Sequence, residues 1–573
     1  MSENISENII QFRNFGFKYT AQAEPTLYDI NLEIKKGQKV LICGPSGCGK
    51  STLAHCINGL IPASYSGQVT GELLIDGKSY KDLDIFKISK LVGTVLQDSD
   101  AQFIGLTVGE DVAFALENDC VDLPEMRSRV EQVTSRVGVG YFLHHAPHQL
   151  SGGLKQRVSL AGVMVDDVQV LLFDEPLANL DPATGKTTIE LIDDIHRRFN
   201  KTVIIIEHRL EDVLHRDVDR IILMGNGRII ADTTPAKLLS SDLLIQSGIR
   251  EPLYITALKY AGVTVTQAMQ PQRIDTLRLS PDDIAKVQSW YHHVPVAAPA
   301  PPTPIALQAS DIDFTYENGF QALCDINFEV HKGEMMAIVG RNGAGKSTFS
   351  KVICGFEHQQ KGTITLDGAS MDNLSIKERA AHIGYVMQNP NQMISKPMIR
   401  DEVSLSLVLD GSFTADEINA RVDKTLTICG LYPFRNWPIS ALSYGQKKRV
   451  TIASILAMNP EIIILDEPTA GQDYRHYTEI MEFLKQLNSS GITIILITHD
   501  MHLMLEYCTR AVVFSDKHKI ADAPCYSILT DASIVEKASL KETSLSTLSA
   551  MCNIPDSRDF VRRFIIADRE ARQ

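Results

Sequence analysis

Apolar positions along this chain follow two patterns. Short, nearly unbroken runs of Val, Ile and Leu occur at 39–43, 168–173 and 202–206, and again at 334–339, 462–465 and 493–497. Runs of that length without alternation predict strands buried on both faces, in a mainly parallel sheet held between helices. Longer stretches with amphipathic helical spacing lie between them. Within each set, the first run enters a glycine-rich loop, the second ends in an acidic pair, and the third stops one or two residues before a His. An α/β sheet binds ligands at the carboxyl ends of its strands, so these three endings are where chemistry is expected.

The two sets are copies. Gly44–Thr52 (GPSGCGKST) recurs as Gly340–Thr348 (GRNGAGKST), Leu150–Val158 (LSGGLKQRV) as Leu442–Val450 (LSYGQKKRV), and Phe173–Pro176 (FDEP) as Leu465–Pro468 (LDEP). The period is a whole domain, which signals duplication and not a solenoid. Between the copies, the stretch from His293 to Pro304 clusters prolines without charge and reads as an extended, semi-stiff tether. The expected organisation is a first domain over 8–247, an appendage and Pro-rich linker over 248–304, a second domain over 305–530, and a helical C-terminal extension over 531–573.

Composition narrows the setting. With 573 residues, two or more domains are expected. The net charge of −14 argues against general coating of nucleic acid, which needs a cationic surface. No apolar run is long enough to span a bilayer, and the acidic, polar N-terminus lacks a signal-peptide core. The ten cysteines are scattered singly with no CxxC pair, as suits reduced thiols in a cytosol.

The glycine loops carry the strongest signal. Both fit G-x4-G-K-S, the P-loop pattern, in which glycines let backbone N–H groups converge on phosphate oxygens at a helix N-terminus. The first comprises Gly44, Pro45, Ser46, Gly47, Cys48, Gly49, Lys50, Ser51 and Thr52; the second comprises Gly340, Arg341, Asn342, Gly343, Ala344, Gly345, Lys346, Ser347 and Thr348. Lys50 and Lys346 are expected to reach the β/γ-phosphates of ATP, and Ser51 and Ser347 to offer a hydroxyl to Mg²⁺. Asp174 and Asp466 are placed to hold Mg²⁺, and Glu175 and Glu467 to polarise the attacking water. Taken alone, an Asp-Glu after a strand is an ordinary solvated turn; beside a P-loop it becomes a candidate site.

Both halves resemble the ATP-binding subunits of ABC transporters. The diagnostic segments are Leu150-Ser151-Gly152-Gly153 and Leu442-Ser443-Tyr444-Gly445-Gln446, each upstream of its acidic pair. The resemblance implies two tandem P-loop NTPase domains, each adding an antiparallel β part and a helical subdomain to the parallel core. It implies that Tyr19 and Tyr316 stack on adenine, that Gln97 and Gln388 sense Mg²⁺ and the membrane partner, that Asp181 and Asp473 close the D-loops, and that His208 and His499 contact the γ-phosphate. It also implies intramolecular pairing of the halves into two head-to-tail sites, with Ser151, Gly152 and Gly153 facing one nucleotide and Ser443, Gly445 and Gln446 the other. Two positions depart from the family pattern: Leu154 replaces the usual Gln, and Tyr444 the usual second Gly.

Beyond each Q-loop glutamine lie Gln102 or Gln392, then Thr107-Val or Pro397-Met and an acidic-Val motif. This resembles the energy-coupling factor importers, implying a transmembrane scaffold subunit, a small substrate-capture membrane subunit and a position on the cytoplasmic face of the cell membrane. The vitamin, vitamin precursor or metal ion carried is not legible. The alternative is a soluble twin-cassette ATPase acting on ribosomes or nucleic acid. The acidic charge, the absence of a long basic linker or Cys-rich segment, and the presence of His208 and His499 weigh against it. His144, His145 and His148, with His292 and His293, are a weak metal-site pattern better read as solvated loop residues. Cys48 lies at a helix N-terminus, which favours its thiolate, so alkylation with protection by ATP is the expectation there.

Overall fold

The computed structural model describes residues 7–97, 99–178, 180–295, 303–469, 472 and 474–571. The chain divides into two compact units, the first essentially Met1–Trp290 and the second beginning at Tyr291. Each has the same two-sheet plan. In the first, a four-stranded antiparallel sheet contains Asn8–Tyr19, Leu27–Lys35, Gly67–Ile75 and Lys78–Ser79. A six-stranded sheet runs in the order Arg228–Thr233, Arg220–Gly225, Lys39–Cys43, Thr202–Ile206, Val170–Asp174, Val92–Val95, parallel except for its first pair.

The unbroken apolar runs have their explanation in this sheet. Leu41, Leu171, Phe173, Val203 and Ile205 face one buried cluster, which includes Val108, Leu116, Val158 and Ile189 of the helices. Their alternates Val40, Ile42, Val170, Leu172, Ile204 and Ile206 face a second, built with Phe12, Phe15 and Phe17 of the antiparallel sheet and Leu53 and Ile57 of the P-loop helix. With both faces dry, neither parity can be polar. The second unit repeats this, with Met335–Gly340 between Thr493–Ile497 and Arg510–Ser515, and Ile462–Asp466 beyond.

The helical part of each unit carries local start signals. Helix Val108–Asn118 opens on a capping box between Thr107 and Glu110, and Ala415–Ile428 on one between Thr414 and Glu417. The appendage is helical at Leu253–Tyr260 and Pro281–His293. The tail forms helices Ala532–Lys537, Ser544–Met551 and Ser557–Ala571. Phe560, Val561, Phe564 and Ile565 of the last are buried, and Arg569 Nε donates to the Glu506 carbonyl at 2.8 Å within the same unit. Among the described residues no helix is long and apolar enough to cross a membrane. Most of the proline tether, together with Asn179, Ala470, Gly471 and Asp473 of the D-loops, lies outside the described residues.

Candidate active site

Sheet register brings the three strand endings of each unit together. Ile206, which ends the His strand, is level with Ile42 at the end of the P-loop strand and with Asp174 of the acidic pair. Ile497 is likewise level with Ile338 and Asp466. Residues more than a hundred positions apart therefore share one crevice at the carboxyl edge.

Each P-loop wraps into the helix that follows it. Gly49 and Gly345 cap these helices at φ 101° and 102°, where a Cβ would lie 2.7 Å from Leu27 Cδ2 or 2.6 Å from the Ala322 carbonyl oxygen. Only glycine fits such a position. Lys50 Nζ donates to the carbonyls of Gly44 (2.7 Å) and Pro45 (3.0 Å), and Lys346 Nζ to those of Gly340 (2.8 Å) and Arg341 (2.9 Å). Tyr19 and Tyr316 come to the same loops by their hydroxyls, 3.1 Å from Thr52 Oγ1 and 2.9 Å from Thr348 Oγ1.

The acidic pairs sit in strained turns. Glu175 and Glu467 adopt φ 48° and 44°, and their N–H groups donate to the carbonyls of Ile206 and Ile497, each at 2.9 Å. A non-glycine residue in that region turns the chain sharply and is typical of functional positions. Burial, then the charge of Glu207, pushes the Glu175 carboxyl up to about 7; burial pushes Glu467 up to about 8 against the opposing charge of Lys346. Gln97 Nε2 donates to Glu175 Oε2 at 2.8 Å, and His499 Nε2 lies 3.4 Å from Glu467 Oε1.

The signature segments explain the two departures from the family pattern. Ser443 caps helix Tyr444–Leu456 in a reciprocal box: its Oγ accepts from Gln446 N at 3.3 Å, while Gln446 Oε1 accepts from Ser443 N at 3.0 Å. Leu154 cannot close such a box; it packs against the apolar cluster instead, and Ser151 makes no side-chain cap. Tyr444 turns toward its own Q-loop, its hydroxyl 3.3 Å from the Gln388 carbonyl. Gly153 has Thr184 too near for any Cβ without displacement, whereas Gly152 and Gly445 have ordinary clearance. Asp181 caps helix Pro182–Phe199 through Thr184 N at 2.9 Å.

Three neighbours of the acidic pairs escaped the sequence reading. Tyr385 donates to Asp466 Oδ2 at 2.9 Å. Lys448, fully buried, donates to the Met387 and Gln388 carbonyls at 2.8 Å each, and burial lowers its ammonium to about 8. Glu207 is fully buried beside His208. Aligning the two copies position by position flags all three, since Thr94, Gln156 and Thr498 stand opposite them.

Cys48 corrects an expectation. Its side chain is 3 % exposed and packs in the buried cluster beneath the loop, so thiolate chemistry at the helix end is screened from solvent. N-ethylmaleimide is expected to modify the exposed Cys120 at least tenfold faster than Cys48 in the native chain, as read by peptide mass spectrometry; equal rates would refute this. His144, His145 and His148 are exposed, and among the described residues no three His, Cys, Asp or Glu side chains form a metal-holding group.

Comparison with known proteins identifies the family. Residues 27–178 and 323–470 each match the family model described as "ABC transporter". Residues 241–314, which include the appendage, match a model described as "ATP-binding cassette cobalt transporter". A relative from Clostridium perfringens (strain 13 / Type A), provisionally named an ABC transporter ATP-binding protein, is 58% identical over 98% of this chain and 99% of its own length. One of the same provisional name from Enterococcus faecalis (strain ATCC 700802 / V583) is 54% identical over 98% of this chain and 99% of its own. A solved structure titled as cbiO1 from Clostridium perfringens, part of the ABC transporter complex cbiONQ, is 34% identical, covers 41% of this chain and 94% of its own, and has a TM-score of 0.38. This chain belongs to the ATP-binding proteins of ABC transporters, with two ATPase domains in one polypeptide.

Proposed function

We propose that this chain is the energy-coupling ATPase of an energy-coupling factor importer for a vitamin, a vitamin precursor or a metal ion. The observation that supports this subtype is the match of residues 241–314, a segment outside both ATPase domain matches, to a cobalt-transporter ATPase model. On this reading the partners are a transmembrane scaffold subunit and a small substrate-capture membrane subunit, at the cytoplasmic face of the cell membrane.

In each unit the P-loop N–H groups and Lys50 or Lys346 bind the ATP phosphates, and Tyr19 or Tyr316 packs on the adenine. Ser51, Asp174 and Gln97, or Ser347, Asp466 and Gln388, are hard oxygen donors with few carboxylates, a set that fits Mg²⁺, which keeps waters and substrate phosphates as its other ligands. When bound, that ion supplies neutralising charge at the β- and γ-phosphate oxygens. Glu175 or Glu467 takes a proton from water as its oxygen attacks the γ-phosphorus, the bond to the bridging oxygen breaks, and ADP and phosphate leave. His208 or His499 steadies the γ-phosphate.

Two composite sites complete the reading: Ser443 joins Lys50, Asp174, Glu175 and His208, and Ser151 joins Lys346, Asp466, Glu467 and His499. ATP held between the units favours their closed arrangement, and hydrolysis releases it. The deciding experiment is affinity purification from detergent-solubilised native membranes with identification of every co-purifying chain. A polytopic scaffold and a small membrane protein are expected; recovery only with ribosomes would overturn the importer reading.

A further inference from the structure

The signature helix of the second unit, Tyr444–Leu456, directs two side chains at the Q-loop beside it. Lys448 Nζ donates to the carbonyls of Met387 and Gln388, both at 2.8 Å, and the Tyr444 hydroxyl donates to the Gln388 carbonyl at 3.3 Å. Residues four apart share one helix face, so both reach the same stretch of backbone. The helix also packs against strand Ile383–Val386 and the turn Pro390–Gln392, which bracket that stretch. The matching residues of the first unit are Gly152 and Gln156. Glycine has no side chain to offer, and Gln156 directs its amide elsewhere: Nε2 donates to the Pro176 carbonyl, and Oε1 accepts from the Thr188 hydroxyl at 3.1 Å. There the Q-loop is braced from within, Gln102 Oε1 accepting from Leu96 N and Gln102 Nε2 donating to the Thr94 carbonyl, each at 3.2 Å.

Lys448 has no solvent exposure. A buried amino head that leaves its acceptors loses their bonds without regaining water, so this tie resists opening. We propose that Tyr444 and Lys448 are positioning residues of the second ATP site, which clip the Gln388 backbone to the signature helix and make Q-loop and helix one rigid piece. The Gln388 side chain is then free to meet the ion while its carbonyl is held by the helix that Ser443 caps. Whatever fixes that side chain also steadies the helix, because the backbone between them has been immobilised. The inference rests on the assignment of Gln388 to Mg²⁺ made above.

The test is amide hydrogen exchange, read by mass spectrometry on the full chain carrying Lys50→Ala so that only the second P-loop binds nucleotide. The double variant Tyr444→Gly/Lys448→Gln copies the first unit. Without nucleotide or Mg²⁺ it is expected to exchange residues 387–393 about tenfold faster than the parent, with the P-loop helix Lys346–Cys354 unchanged. A β,γ-imido ATP analogue with Mg²⁺ is expected to slow exchange in helix Tyr444–Leu456 of the parent about threefold. The double variant should lose that response while the analogue still protects its P-loop helix. An unchanged Q-loop rate in the double variant, an acceleration spread evenly over the unit, or a signature-helix response equal to the parent's would overturn the proposal. Lys448→Met keeps the side-chain bulk without a donor and replaces the double variant if that does not fold. If neither folds, Tyr444→Gly alone decides, and an unchanged Q-loop rate there overturns the clip. Gln388→Ala separates the two layers: the nucleotide-free Q-loop should stay slow, and a signature-helix response that survives there sinks the assignment of Gln388 to the ion and leaves the clip standing.

Discussion

Converting both Glu175 and Glu467 to Gln is expected to lower ATP hydrolysis by at least a hundredfold while leaving ATP affinity within a few-fold of the parent. A positioned general base contributes roughly 10²–10⁴ in rate, and Gln keeps the shape but cannot take the proton. Both carboxyls are held high by burial, Glu175 at about 7 and Glu467 at about 8. Only the ionised form is a base, so the parent rate should rise between pH 6 and 8 and the double variant should lose that limb. Stability should move the opposite way. A carboxyl whose folded value lies above its unfolded one contributes fully below the unfolded value, and the contribution is lost as pH rises through the folded value. Each unit of displacement is worth about 1.4 kcal/mol. Glu467→Gln should therefore raise the melting temperature at pH 8–9, with the gain vanishing near pH 5. Full hydrolysis by the double variant, or a gain largest in acid, would refute the assignment.

Gly340→Ala is expected to destroy the second nucleotide site. At φ 141° its added Cβ would fall well inside van der Waals contact with the Phe514 carbonyl oxygen on the neighbouring strand. Backbone strain and overpacking together cost about 3 kcal/mol or more, since two hydrogen-bonded strands cannot part locally. Gly343→Ala is the control: it lies in the same loop at φ 79° with nothing within 4 Å of its Cβ, so it should cost only about 1 kcal/mol. A thermal melt of both variants, with nucleotide binding in a Lys50→Ala background, checks the contrast. Equal effects at the two glycines would show that backbone conformation alone, and not the Phe514 strand, governs the loop.

Much of this protein is local in origin and so was legible in the residue order. A strand buried on both faces must be continuously apolar, which is why the runs at 39–43, 202–206 and 493–497 stand out and coincide with observed strands. A phosphate loop needs glycine at fixed spacing because its backbone donates the hydrogen bonds, so Gly44–Thr52 and Gly340–Thr348 announce themselves. Duplication made the pairing of functions visible. What the tertiary structure decided is long-range. Cys48 is one residue from a glycine of the loop, yet it is buried in the cluster that the P-loop helix shares with the antiparallel sheet. Leu154 and Gln446 occupy equivalent positions, but only folding shows one sealing an apolar cluster and the other closing a capping box. Glu207 follows a strand of isoleucines and reads as a surface charge until folding buries it beside His208 and the turn of Glu175. Spacing along the chain specifies backbone conformation, whereas burial and charge pairing depend on which distant strands become neighbours.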